Sequence, residues 1–222
     1  MERPPSRYHP ARLTGRTVPS VYDLKPRFQA LLRPGVAALA RAGVTANQVT
    51  VAAALLSLAA GAVIALLPDR RAPLLLLPLV LLLRMALNAV DGMLAREHGQ
   101  KSRLGALLNE LGDVVADAAL YLPLALVPGF RPWLVVAVVL LAALTEMSGV
   151  LGPTIGASRR YDGPAGKSDR ALVFGAVGLA LGVGVPAGRW LDVLLAILAL
   201  ATAWTVVNRA RRALAEPAPG PA

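Results

Sequence analysis

Apolar residues run along this chain in blocks rather than in alternation. Six mostly apolar stretches, at 47–67, 73–95, 104–127, 132–151, 171–186 and 190–207, are set apart by short polar breaks. A helix needs about 20 such residues to cross a hydrocarbon core roughly 30 Å thick. The breaks carry turn chemistry: Pro68-Asp69, the run around Gly99, Pro128-Gly129, a long segment rich in Gly, Ser and Pro, and Ala187-Gly188. The pattern predicts an all-α, polytopic membrane protein with six transmembrane helices. The fifth stretch is short and glycine-rich, and Gly178 and Gly182, four apart, predict a close approach by another helix.

Upstream of the first stretch the pattern changes. Leu24, Phe28, Leu31, Leu32 and Leu39 recur at helical spacing among Lys25, Arg27, Arg33 and Arg41, and Asp23 ahead of Lys25-Pro26 marks a helix start. Residues 24–44 therefore read as a juxtamembrane amphipathic helix on the cytoplasmic leaflet. They separate a disordered cytoplasmic tail, 1–23, from a transmembrane domain, 45–208. A second cytoplasmic tail follows at 209–222.

Composition agrees and narrows the class. The 222 residues are 56% apolar and only 16% charged, with a formal charge of +10, where soluble domains carry about 25% charged residues. Mean hydropathy is +0.58 and the isoelectric point is about 11.1. In a soluble chain such basicity would suggest nucleic acid. Here the cations follow the loops instead: eighteen Lys and Arg lie in the first, third, fifth and last polar segments and four in the others, with Arg84 inside a span. By the positive-inside rule both termini are cytoplasmic, in the inner or plasma membrane, and no nucleic acid is implied. The absence of cysteine excludes disulfides, zinc ribbons, iron–sulfur clusters and a thiol nucleophile. With His9 and His98 as the two histidines, a His-based triad is also out of reach. The first 30 residues hold no apolar run, so no cleaved secretory signal is expected.

Ionisable residues inside spans are costly and are functional candidates by default. Arg84, Asn88, Asp91 and Ala95 fall on one helical face of the second span; Asn109, Asp113 and Asp117 share a face of the third, bordered by Glu110. Both clusters lie toward the cytoplasmic ends of adjacent spans and can face one cavity. Oxygen ligands without His or Cys suit hard divalent cations, Mg²⁺ or Mn²⁺, which commonly clamp phosphate oxygens. Gly92 and Ala95 leave room for a ligand and Arg96 adds an anion partner. Glu146 and Asp192, on the fourth and sixth spans, are as consistent with interhelical pairing as with a site.

At these residues the sequence resembles the CDP-alcohol phosphotransferase family, whose signature reads D-x2-D-G-x2-A-R-x8-G-x3-D-x3-D. Asn88, Asp91, Gly92, Ala95, Arg96, Gly105, Asn109 and Asp113 keep every spacing and six of the eight specified residues. Thr45-Ala46-Asn47-Gln48-Val49-Thr50 is similar to the family's T-P-N-x-x-T opening of the first span, and Gly166-Lys167 to a glycine–lysine element before the fifth. The resemblance implies six transmembrane helices behind an amphipathic helix, a homodimer, and a cytoplasm-facing site for a CDP-linked donor from which CMP leaves. Carried over by position, Asn88, Asp91, Asn109 and Asp113 would hold one or two divalent ions. Asp91, Gly92, Ala95, Arg96 and Gly105 would hold the CDP part, and Asp113 would be the general base. The partners implied are membrane lipid, CDP-diacylglycerol and a small polar alcohol.

Asn88 and Asn109 depart from the signature, taking the four-position site from −4 to −2. Glu110 and Asp117 stand beside it as auxiliary acids able to restore charge. Arg159, Arg160, Lys167 and Arg170 concentrate cations on the loop before the fifth span. Arg159, Lys167 and Arg170 are expected at an anionic acceptor such as glycerol 3-phosphate or an inositol phosphate. The leading expectation is phosphatidyl transfer from CDP-diacylglycerol. The alternatives are a soluble CDP-alcohol donor with a lipid acceptor, or a catalytically silent relative that binds lipid or a partner.

Overall fold

The computed structural model describes residues 21–216, with side chains described from residue 27 onward. The expected tail at 1–23 thus lies largely outside the described residues, as do the side chains of Leu24 and Lys25, whereas the expected tail at 209–222 is described to residue 216 and is helical to Ala215. Within the described residues the chain forms seven α-helices: α1 (Val21–Arg41), α2 (Ala46–Leu66), α3 (Arg71–Glu97), α4 (Arg103–Tyr121), α5 (Pro132–Leu151), α6 (Lys167–Gly182) and α7 (Arg189–Ala215). Short 3₁₀ turns at Leu122–Leu126 and Gly152–Ile155 close α4 and α5.

Four of these helices, α2, α3, α5 with its 3₁₀ extension, and α7, are long and apolar enough to cross a membrane. Only 28–39% of their most apolar stretches is buried within the chain, so their leucines face outward, the reverse of a water-soluble bundle. α4 carries Glu110, Asp113 and Asp117, and α6 has 16 residues. Neither meets the same test among the described residues. α7 continues eight residues past the expected end at 207, bringing Arg209 and Arg212 onto the helix.

Local chemistry explains the helix starts near the polar clusters. The Thr45 side chain accepts from the Gln48 amide at 3.2 Å, while Gln48 Oε1 accepts from the Thr45 amide at 2.8 Å, a reciprocal cap that opens α2. Ser102 caps α4 by accepting from the Gly105 amide at 2.9 Å. Asp169 Oδ2 accepts from the Gly166 amide at 2.9 Å and closes the first turn of α6.

Small residues set how closely the helices pack. α2 lies against α4 at Gly61, where a methyl group would sit 1.9 Å from the Ala119 carbonyl oxygen. In α3, Pro78 has no N–H, which leaves the Leu74 carbonyl without its helical donor. α6 approaches at that point: a methyl on Gly178 would lie 2.9 Å from Leu74 O, and one on Gly182 2.7 Å from the Leu75 side chain. Gly178 and Gly182 do admit a neighbouring helix, and it is α3. The main core joins Leu77 and Leu81 of α3, Leu120 and Tyr121 of α4, Val135 and Val138 of α5, Phe174 of α6 and Leu191 and Leu195 of α7. A smaller cluster docks α1 through Val36 onto Val90, Met93 and Leu94 of α3, with an Arg33–Glu97 ion pair at 3.0 Å beside it. Leu31 faces away from this cluster and is 77% exposed.

Candidate functional site

The polar faces of α3 and α4 meet at the end of the bundle where α2 begins and α3 ends. Asn88 Nδ2 donates to Asp113 Oδ1 at 3.4 Å. Asp91, one turn further along α3, is buried, and its Oδ2 accepts from Thr50 Oγ1 of α2 at 2.8 Å. Thr50 belongs to the polar opening of α2, so that segment supports the site directly. Gly105 sits against Asn47 of the same segment: a methyl there would fall 2.7 Å from Asn47 Oδ1. Gln100 secures the corner by accepting from the Ala46 amide at 2.6 Å and donating to Val44 O at 3.3 Å.

Asp113 is surrounded by donors. Lys167 of α6 pairs with its Oδ1, Arg84 of α3 donates to its carbonyl oxygen at 3.1 Å, and an Arg84 nitrogen lies 3.8 Å from Oδ1. Asn109 is half-buried one turn before it on α4. On α3 the Arg96 guanidinium folds back over Gly92, 3.0 Å from where a methyl would be. A missing side chain and an exposed cation therefore lie side by side, with half-buried Ala95 adjacent.

Other expected site residues are placed elsewhere. Arg170 is 0% exposed. Its guanidinium donates to Asp117 Oδ2, Glu146 Oε1 and Thr145 Oγ1, each at 3.0 Å, and to Ala165 O at 3.1 Å. Four protein acceptors hold it among the helices, away from the loop where an acceptor-facing cation was expected. Arg159 spends its guanidinium on both oxygens of Glu110, with Nη2 at 2.8 Å from Oε2, and stacks 4.8 Å from the Tyr161 ring centre. Glu110 and Asp117 are likewise not spare acids. The first is taken by Arg159, the second by Arg84 at 2.5 Å and Arg170 at 3.0 Å. Of the three loop cations expected at an acceptor, Lys167 alone rests on a signature acid.

Sequence reasoning left the partners of Glu146 and Asp192 open. Glu146 pairs with Arg170 and lies 3.9 Å from Arg209 of α7, and Asp192 pairs with Arg131 at 2.6 Å at the far end of the bundle. The loop between α5 and α6 is strapped to α7 through Asp162, which accepts from Arg160 at 2.9 Å and Arg212 at 2.7 Å, and through Glu216, which accepts from Ser158 Oγ at 2.8 Å. Partial burial pushes the Asp162 carboxyl up, but the two guanidiniums outweigh it and hold it below the usual carboxylate range. Arg209 and Arg212 were the signal missed: the apolar run ends at 207, but the helix does not.

The donors Asp91, Asp113, Asn88 and Asn109 are all hard oxygens, the chemistry Mg²⁺ and Mn²⁺ prefer. Two carboxylates balance one divalent charge and fall short of two. Among the described residues no three His, Cys, Asp or Glu side chains converge as a cage. The residue types fit a hard divalent cation that draws further oxygens from a phosphate-bearing ligand, since Mg²⁺ is commonly held by one or two carboxylates plus substrate phosphates.

Comparison with known proteins places this geometry in context. The family model for CDP-alcohol phosphatidyltransferase matches residues 43–207. Inner membrane protein YnbA of Escherichia coli (strain K12) is 48% identical over 195 residues, covering 88% of this chain and 96% of that protein. Phosphatidylinositol phosphate synthase of Mycobacterium tuberculosis with CDP-DAG bound superposes with a TM-score of 0.70 at 22% identity, covering 83% of this chain and 94% of that one. The same enzyme in complex with manganese and citrate gives a TM-score of 0.70 at 22% identity, covering 83% and 89%. At that identity the likeness is one of fold.

Proposed function

The chain belongs to the CDP-alcohol phosphatidyltransferase family, a family of enzymes, and from that premise we propose that it moves a phosphatidyl group from CDP-diacylglycerol to an alcohol, releasing CMP. The observation that carries this reading is the contact of Asn88 with Asp113, with buried Asp91 one turn from Asn88 on the same helix, Gly92 and Arg96 beside it and Lys167 on Asp113. The acceptor oxygen bonds to the phosphorus distal to cytidine, the bond to CMP breaks with its electron pair on CMP, and the hydroxyl proton passes to Asp113. A divalent ion held by Asp91 and Asp113 with Asn88 and Asn109 would neutralise the diphosphate and stabilise the leaving group. Gly92, Ala95 and Gly105 leave space for the CDP part, and Arg96 meets its negative charge.

An anionic acceptor fits Lys167. Its ammonium rests on Asp113; an incoming phosphate that draws the ammonium away leaves the carboxylate free to take a proton. Glycerol 3-phosphate and inositol phosphates have that chemistry. We place α2 to α7 as six membrane spans, with α4 and α6 shielded by their neighbours. α1 lies on the cytoplasmic leaflet, both termini are cytoplasmic, and the protein sits as a homodimer in an inner membrane, as the family resemblance and the name of the E. coli relative suggest. Tags at both ends and in the 159–167 loop should then report the cytoplasm, and a tag at 69–71 the opposite side; a loop tag on the opposite side overturns the arrangement.

Asn88 and Asn109 favour a second reading, a relative that binds the donor but has lost turnover. Purified protein with labelled CDP-diacylglycerol and millimolar Mn²⁺ separates the two. CMP release that depends on one alcohol and stops with chelator supports the transferase. Donor binding without release under any alcohol supports the silent relative, and release from a soluble CDP-alcohol instead moves the donor assignment.

A further inference from the structure

Asp117 lies one helical turn beyond Asp113 on α4, outside the eight signature positions, and it is buried. Its two oxygens go to two arginines on different helices. Oδ1 accepts from Arg84 of α3 at 2.5 Å, and Oδ2 accepts from Arg170 of α6 at 3.0 Å. Each of these connects back to Asp113. Arg84 also donates to the Asp113 carbonyl at 3.1 Å and stands 3.8 Å from its carboxylate. Arg170 fixes the first turn of α6, which carries Lys167, the cation resting on Asp113. Stacking of Tyr121 of α4 on Phe174 of α6, 4.1 Å between ring centres, fixes the same pair of helices one turn deeper.

We infer that Asp117 is a positioning residue: by holding Arg84 and Arg170 it sets the placement of both cations that touch Asp113, and it keeps Arg84 off the Asp113 carboxylate. The charge arithmetic gives the reason. Arg84 is buried and must face an anion. With Asp117 in place it has one at 2.5 Å and leaves Asp113 at 3.8 Å. Without that charge, Asp113 is the nearest remaining carboxylate, and a direct bond from Arg84 would occupy the oxygens that must take a proton or meet a divalent ion.

This role rests on Asp113 being the reacting carboxylate, so the test reads two properties of the purified, full-length protein. The first is kcat and KM for CMP release from CDP-diacylglycerol; the second is affinity for Mn²⁺ alone, by electron paramagnetic resonance. Asp117→Asn should lower kcat by about 10²-fold, the scale of an ångström-level misplacement, with little change in donor KM. It should weaken Mn²⁺ binding by about 10–100-fold, as loss of a ligand's supporting partner does. Because the single variant strands a buried guanidinium, the charge-balanced pair Arg84→Gln with Asp117→Asn guards against simple misfolding, and it should regain most of the Mn²⁺ affinity. Wild-type kcat and Mn²⁺ affinity in Asp117→Asn overturn the inference, as does a double variant no better than the single. A wild-type protein that neither releases CMP nor binds Mn²⁺ overturns the transferase reading itself, and this inference with it.

Discussion

Asp113→Asn should lower CMP release by about 10²–10⁴-fold, the usual cost of removing a general base, while affinity for CDP-diacylglycerol stays within a few-fold of wild type. The carboxamide is isosteric and can still accept from Lys167 and Asn88, and the Gly92–Arg96 cradle on α3 is untouched. Asp91→Asn should behave differently. Asp91 is buried on α3 beside the Gly92–Arg96 cradle, braced by Thr50, and on the donor's side of the site, so donor affinity and turnover should fall together. Donor affinity and rate, measured for both variants in the same detergent, decide the matter. Equal loss of affinity in the two would make Asp113 a ligand first and a base second, and near-normal turnover in Asp113→Asn would remove it as the base.

The second large effect is on folding. Gly61→Ala should remove the well-behaved protein altogether or lower its thermal midpoint sharply, with a cost of about 3 kcal/mol or more. The added methyl would sit 1.9 Å from the Ala119 carbonyl oxygen and 2.8 Å from its carbon, both backbone atoms that cannot rotate away. α2 and α4 would have to separate, carrying Thr50 away from Asp91. Gly35→Ala in α1 is the matched control, because nothing lies within 4 Å of its added methyl. Monodispersity and thermal midpoint of the two variants side by side check this; equal behaviour would mean that the α2–α4 contact is looser than described.

How much of this was legible in the sequence depended on the kind of information needed. α2, α3, α5 and α7 could be read because length and apolarity are local properties. The α5 boundaries, 132–151, were met at both ends. The faces carrying Asn88 with Asp91, and Asn109 with Asp113, followed from the 3.6-residue period. The unbroken spacing of the signature joined the two faces. Partner choice could not be read. Four cations between α5 and the first turn of α6 looked alike in sequence, yet Lys167 rests on Asp113, Arg159 on Glu110, Arg160 on Asp162 and Arg170 among Asp117, Glu146 and Thr145. Which acid each cation meets depends on the rotation of α6 and the path of the 152–166 loop, and no periodicity encodes either. The extension of α7 was missed for a related reason: past residue 207 the helix is held by Arg209 and Arg212 bonding to α5 and the loop, with the small Ala213 buried beside them, and not by a run of large apolar residues.

The ion pairs of α4 have a consequence for how the protein is made. A central aspartate alone costs an inserting helix about 2.5–3.5 kcal/mol, and α4 carries two besides Glu110. Its countercharges are scattered along the chain. Arg84 precedes it by one helix, but Arg159, Lys167 and Arg170 are translated roughly 40–60 residues later. A nascent α4 leaving the ribosome therefore has one of its four countercharges already synthesised and three still to come. With α4 placed as a span, as proposed above, its release into lipid is favourable only as a group with α3 and α6, and the chain is expected to stay at the insertion machinery until α6 has emerged. On that placement, biogenesis of the bundle is timed by its last partners, not by its first apolar segment.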